Sequence, residues 1–199
     1  MILRPVLIAI PDDSHLCRPK RRQRQREYAR MALRESARLI GAPLDGYLQD
    51  DRDVPLPNNG YYWSISHTRG MAAGVVSTEP VGIDVEALTP RREGLFDMVA
   101  SEAEWAILGG RTWDNFFRLF TAKEATLKAN GKGIGCLREC LLSQCSVDRC
   151  ALNFDMRRFE VHHHRFEIQI AAVAGVGAVQ WVFPQHSERA FGESSTAQV

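Results

Sequence analysis

Apolar positions along the chain switch between a period of two and a period of about 3.6, and the switches mark out the elements. Residues 1–10 form an apolar run that reads as a first strand. Pro5 interrupts the run and Asp12 and Asp13 follow it, so the pattern fits a strand better than a signal peptide. Over 18–43 the apolar residues Tyr28, Ala32, Leu33, Ala37 and Leu39/Ile40 recur at helical spacing, and Gly41 and Pro43 end the helix. Residues 45–60 read as loop, with Pro55, Pro57, Asn58, Asn59 and Gly60. Strands follow over 61–67, 71–77 and 81–88. The chain then turns helical. Ser101 and Glu104 make a capping-box pair, and 112–133 is the strongest helical pattern, stopped by Gly131. Strands return near 141–154, 157–161, 165–174 and 178–183, with a hairpin turn expected at His162-His163-His164. The polar, aperiodic stretch 184–199 reads as a disordered tail. Strands and helices are grouped rather than strictly alternating, which predicts an α+β fold.

Two elements break their own pattern. In the strand Val81-Gly82-Ile83-Asp84-Val85-Glu86, side chains two apart share a face, so Asp84 and Glu86 lie together opposite Ile83 and Val85. Two like charges side by side repel unless solvent and salt, a lysine or a metal ion lies between them. On the helix over 112–133, Glu124 falls within roughly 60° of Phe120 at 100° per residue, inside the apolar stripe of Trp113, Phe116, Phe117 and Leu127. One reading makes Glu124 and Lys128 an i,i+4 ion pair at the stripe's edge. The other brings Glu124 to the same point as Asp84 and Glu86. Three carboxylates there make a hard-cation site with room for phosphate oxygens, and Lys128 stands beside it as a point charge. His67 closes a strand in Ser66-His67-Thr68-Arg69-Gly70, which is either structural or a set of groups able to bind an anion.

Composition excludes more than it selects. The 199 residues carry 45% apolar and 25% charged side chains and a net charge of +1, as expected of one ordinary domain or two small lobes. Bulk charge therefore selects no partner, and no apolar run approaches a membrane span. The 5 cysteines lack the spacing of a paired zinc site, which predicts reduced thiols and a cytoplasmic location.

Taken in order, Trp63-Ser64-Ile65-Ser66-His67-Thr68, Val81 to Glu86 and Phe120-Thr121-Ala122-Lys123-Glu124 through Lys128 resemble the signature of 4′-phosphopantetheinyl transferases, the larger monomeric type that activates peptide and polyketide synthases. The resemblance covers roughly residues 20–135. It implies transfer of phosphopantetheine from coenzyme A to a serine of an apo carrier protein, releasing 3′,5′-ADP. It also implies two similar lobes, each a small antiparallel sheet packed with a long helix, with the active site between them. The lobes would be 1–80, with the basic helix and Ser-His segment, and 81–183, with the carboxylates. On the same resemblance Asp84, Glu86 and Glu124 would hold Mg²⁺, or Mn²⁺, and Lys128 would contact the phosphates. Ser66 and His67 would bind the coenzyme's phosphate groups, and Arg30 would lie on its nucleotide side. Lys123 precedes the metal glutamate, as in the family. Glu104 matches a glutamate that helps the attacking group, so the base is Glu124 or Glu104. In place of the family's Gly–basic–Pro element stands Arg52-Asp53-Val54, where Arg52 substitutes with a one-residue shift.

Rival readings attach to single features. The basic run Lys20, Arg21, Arg22, Arg24, Arg26 and Arg30 suits nucleic-acid phosphates, a solvated helix end, or the coenzyme and an acidic carrier. No nucleic-acid motif accompanies it, so neither nucleic acid nor membrane is expected as a partner, and the chain is expected to act as a monomer. Two further alternatives are a degenerate, non-catalytic binder of coenzyme A or carrier, and an unrelated Mg²⁺-dependent phosphotransferase, though the chain lacks a phosphate-binding P-loop motif.

Overall fold

The computed structural model describes residues 1–43, 46, 48–51, 53–166 and 168–184. Arg52 and nearly all of the expected tail lie outside the described residues.

Two antiparallel sheets each carry a long helix. The smaller sheet has the order β2-β4-β3, from Val6–Ala9, Met71–Ser77 and Tyr62–Thr68. Helix α1, Arg18–Ile40, lies on it and buries Leu33 and Ala37 against Trp63 and Val76. Gly41 closes the helix with φ 69°, a left-handed C-cap that glycine adopts without strain. The larger sheet runs β5-β9-β8-β7-β6: Gly82–Ala87, Gln169–Ala174, Arg157–Arg165, Arg149–Phe154 and Leu141–Cys145. Across it lies α4, Trp113–Ala129, preceded by the short helices α2, Leu95–Val99, and α3, Glu102–Ile107. The capping box expected at Ser101 and Glu104 is formed at the start of α3. Phe96, Trp105, Phe116 and Phe117 pack edge-on into one aromatic cluster beneath α4, and truncating one such ring costs about 3–5 kcal/mol. The strand β1, Ile2–Leu3, pairs in parallel with β10, Ala178–Val179, so the end of the described chain returns to its start.

Two glycines set how close each helix comes. A Cβ on Gly82 of β5 would overlap the Ala125 carbonyl and lie 2.6 Å from Ala129 N on α4. A Cβ on Gly74 of β4 would lie 2.7 Å from Leu33 Cα on α1. Each helix thus touches strand backbone directly, and in the larger half this brings Glu124 and Lys128 to the level of Asp84.

Two sequence expectations need correction. The His162-His163-His164 stretch is not a turn but part of β8, and the chain reverses after it, before β9. The histidines alternate across the strand, and His163 is 9% exposed and bonded to the Arg118 carbonyl at 3.0 Å. The run 141–154 is also divided in two, with β6 and β7 joined through Ser146, whose N–H donates to the Arg149 carbonyl.

Candidate active site

β5 alternates as its sequence requires. Ile83 and Val85 are buried against Leu3, Leu7 and Met71, and Asp84 and Glu86 take the opposite face. Asp84 is only 5% exposed. Its Oδ1 accepts from Lys128 Nζ at 2.7 Å and from Ser66 Oγ at 2.8 Å. Lys128 also donates to the Ile83 carbonyl at 3.1 Å. Lys128 therefore reaches across to β5 instead of forming the surface pair with Glu124.

The remaining oxygens describe an incomplete cage. Asp84 Oδ2 and Glu124 Oε1 are buried without a hydrogen-bond partner. Unpartnered buried carboxylate oxygens cost several kcal/mol unless protonated or met by a cation. Burial first, and the Asp84 charge second, push Glu124 up to about 7. The same causes push Glu86 up to about 7, against the pull of Arg91. Arg91 holds Glu86 Oε2 at 2.8 Å and lies over the Phe117 ring. Among the described residues no three ligating side chains are already drawn together around one point. The reason is visible in the contacts: Lys128 occupies Asp84, and Arg91 draws Glu86 aside. The donor set itself fits a hard divalent cation, with all-oxygen ligands and two orphaned buried oxygens.

Beside Ser66 and Lys128, the partners of Asp84, a cavity of about 540 Å³ is lined by Arg26 and Arg30 of α1, Trp63, Ile65, Ser66 and His67 of β3, and Lys128. A second, of about 360 Å³, shares Lys128 and Ile65 with it and adds Glu124 and Gly131 to Gly133. A third runs along α1 past Arg18, Arg22, Arg26 and Arg30, one residue per turn on one face. His67 is held below its ordinary value by burial, then by Lys128 and Arg26. Its surroundings are thus cationic, as an anion site requires. Asp53 lines the cavity mouth with φ 62°.

Glu104 and Lys123 occupy a different neighbourhood. Lys123 is 0% exposed and donates to Glu104 Oε1 at 2.7 Å and to the Val99 carbonyl at 2.7 Å. Glu104 also accepts from the N–H groups of Leu142 and Ser101. Burial works to raise the Glu104 value, but Leu142, Lys123 and Ser101 together hold it below the ordinary carboxylate range. Both Glu104 oxygens are engaged and Lys123 has no exposed surface, so neither faces the cavity. The pair ties α3 and α4 to β6.

Sequence reading missed Ser64 and took Thr68 only as one of a set of groups able to bind an anion. Ser64, Ser66 and Thr68 alternate along β3, and their hydroxyls accept from Ile83 N, Val85 N and Ala87 N at 3.1, 3.3 and 3.2 Å. The available signal was the period-two row of hydroxyls in a strand beside a carboxylate-bearing one.

The site has relatives. A 4'-phosphopantetheinyl transferase Npt from Nocardia iowensis is 32% identical over 139 residues, which are 62% of this chain and 59% of that protein. The 4'-phosphopantetheinyl transferase ffp of Bacillus subtilis is 30% identical over 83 residues, 40% of this chain and 36% of its own. The 4'-phosphopantetheinyl transferase psf-1 of Bacillus pumilus is 32% identical over 87 residues, 42% of this chain and 36% of its own. The matched stretch therefore spans less than two thirds of each of these relatives. Residues 80–183, which carry Asp84, Glu86, Glu124 and Lys128, match the 4'-phosphopantetheinyl transferase superfamily across more than half of the chain, and the chain belongs to that superfamily.

Proposed function

We propose that this chain transfers the 4′-phosphopantetheine of coenzyme A to a serine of an acidic apo carrier protein, giving holo carrier and 3′,5′-ADP. The observation that carries the reading is the meeting of β5 and α4: two orphaned carboxylate oxygens beside Lys128, at the edge of a cationic cavity. The named relatives and the family match support it.

In this reading Asp84, Glu86 and Glu124 hold Mg²⁺, with Mn²⁺ as the alternative ion. The ion, when bound, supplies charge neutralisation at the coenzyme's pyrophosphate. Lys128 presents its ammonium to the same phosphates and stabilises charge on the departing group. Glu124 takes the proton of the incoming serine. His67, Arg26 and Arg30 line the cavity for the coenzyme's other phosphate and nucleotide end. Arg52 is proposed for the same end. Glu104 and Lys123 brace the walls through their buried pair and touch no substrate.

The two sheet-and-helix halves, 1–80 and 81–183, are proposed as similar lobes with the site between them. Gly74 against α1 and Gly82 against α4 are matching close approaches that support this. Because β3 and β5 both reach the site from one chain, a monomer suffices. All 5 cysteines are free thiols, and a reducing, cytoplasmic setting is part of the same reading. No helix among the described residues is long and apolar enough to cross a membrane.

The reading is tested by incubating the protein with coenzyme A, Mg²⁺ and an apo peptidyl-carrier domain and following 3′,5′-ADP by chromatography. Release that requires both the carrier and the ion is expected, and it falls by at least about 10²-fold in Glu124→Gln. Coenzyme A binding without release from any carrier would instead identify a non-catalytic binder.

A further inference from the structure

β5 is the edge strand of the larger sheet. The outward N–H groups of an edge strand need partners. Here Ser64, Ser66 and Thr68 of β3 supply them, so a row of side-chain hydroxyls joins the two sheets in place of a backbone ladder.

The three rungs are not equivalent. Ser64 and Thr68 each accept one N–H from β5. Ser66 accepts the Val85 N–H and also donates its own proton to Asp84 Oδ1 at 2.8 Å. A serine hydroxyl has one proton, so this contact commits it, and Ser66 has none left for a coenzyme phosphate. Asp84 is 5% exposed, which leaves little water to replace that donor. With Ser66 and Lys128 both on Oδ1, the carboxylate plane is fixed and Oδ2 is the oxygen left without a partner.

We propose that Ser66 is a positioning residue that aims the free oxygen of Asp84 at a divalent cation and thereby sets the protein's affinity for that ion. The proposal rests on the reading that Asp84, Glu86 and Glu124 hold the cation. It replaces the phosphate contact that the family resemblance implies for Ser66. Hydrogen bonds that orient a metal-binding side chain typically change ion affinity 10- to 100-fold when removed. The flanking rungs provide a control inside the same row: they share the seam but not the carboxylate.

The test measures Mn²⁺ binding to the coenzyme-free protein by electron paramagnetic resonance, with thermal melts of the same samples without metal. Ser64→Ala, Ser66→Ala and Thr68→Ala should each lower the melting temperature. Only Ser66→Ala should weaken Mn²⁺ binding, by about tenfold or more, and Ser66→Thr should restore it. Ser66→Cys, which keeps the size and weakens the donor, should give an intermediate loss and serves if the alanine variant does not fold. Wild-type affinity in Ser66→Ala, or an equal loss in Ser64→Ala and Thr68→Ala, overturns the positioning role while leaving the cation site standing. Failure of the unaltered protein to bind Mn²⁺ overturns the cation site and this proposal together.

Discussion

Lys128 Nζ stands 2.7 Å from Asp84 Oδ1, bridging α4 to β5 beside the buried carboxylates of Asp84 and Glu124. The ammonium neutralises one oxygen and leaves the other, Oδ2, buried and unpartnered. The contact explains how the strand tolerates its acidic face: a fixed positive charge lies beside Asp84, while Glu86 and Glu124 are pushed up to about 7 and are partly protonated at neutral pH.

Metal-free stability should therefore fall as pH rises. Glu86 and Glu124 bind protons more tightly folded, at about 7, than at their ordinary 4.5. Between those values the folded state holds more protons than the unfolded one, so unfolding becomes easier with each pH step. Their contribution is fully present below 4.5 and lost as pH passes 7. Chemical denaturation at a series of pH values from 5 to 8 checks this. Glu124→Gln should flatten the decline and stabilise the metal-free protein above neutrality by on the order of 2 kcal/mol. Saturating Mg²⁺ should flatten it in the unaltered protein.

Lys128→Met should separate catalysis from ion binding. On the proposed reading the variant loses the charge offered to the phosphates, and kcat/KM should fall by about 10²-fold. Mn²⁺ should bind no more weakly, because the ammonium that occupies Asp84 is gone. Steady-state kinetics and a binding titration on one preparation give both numbers.

Glu104 and Lys123 should behave as a structural pair. Lys123→Met leaves the Glu104 carboxylate buried without its cation and should cost about 3–5 kcal/mol. The double variant Glu104→Gln with Lys123→Met should recover part of that loss. Below the melting transition both should retain most of the parent kcat, whereas a coenzyme contact at Lys123 would raise KM.

Gly82→Ala should damage the site through packing alone. The added methyl meets the Ala125 carbonyl and the Ala129 backbone, so α4 must move away from β5. A loss of about 3 kcal/mol or more is expected from such overpacking. Activity should fall with it, as Glu124 and Lys128 ride on α4. Gly74→Ala, against α1, should cost similar stability.

Much of this was legible in the sequence, and the exceptions have physical causes. Period and stop signals located α1, α4, β3 and β5, and the short apolar run between turn signals located β4, which is buried on both faces. The acidic face of β5 and the place of Glu124 followed from periodicity of two and 3.6. The role of Lys123 was not legible: it adjoins Glu124 in sequence, and only the tertiary partner Glu104 shows that it points into the core. The histidine run read as a turn since three polar residues interrupt an apolar pattern, yet β8 buries His163 and leaves His162 and His164 half-buried on its other face. A lysine beside the acidic face of β5 was one of the open readings, but the i,i+4 rule favours Glu124 over Asp84 as the partner of Lys128.

The most direct measurement is the intact mass of an apo carrier domain after incubation with this protein, coenzyme A and Mg²⁺. The account predicts one added phosphopantetheine on a carrier serine, lost in Glu124→Gln and on chelation of the ion. An unchanged mass across several acidic carriers, with coenzyme A bound and the ion present, would contradict it.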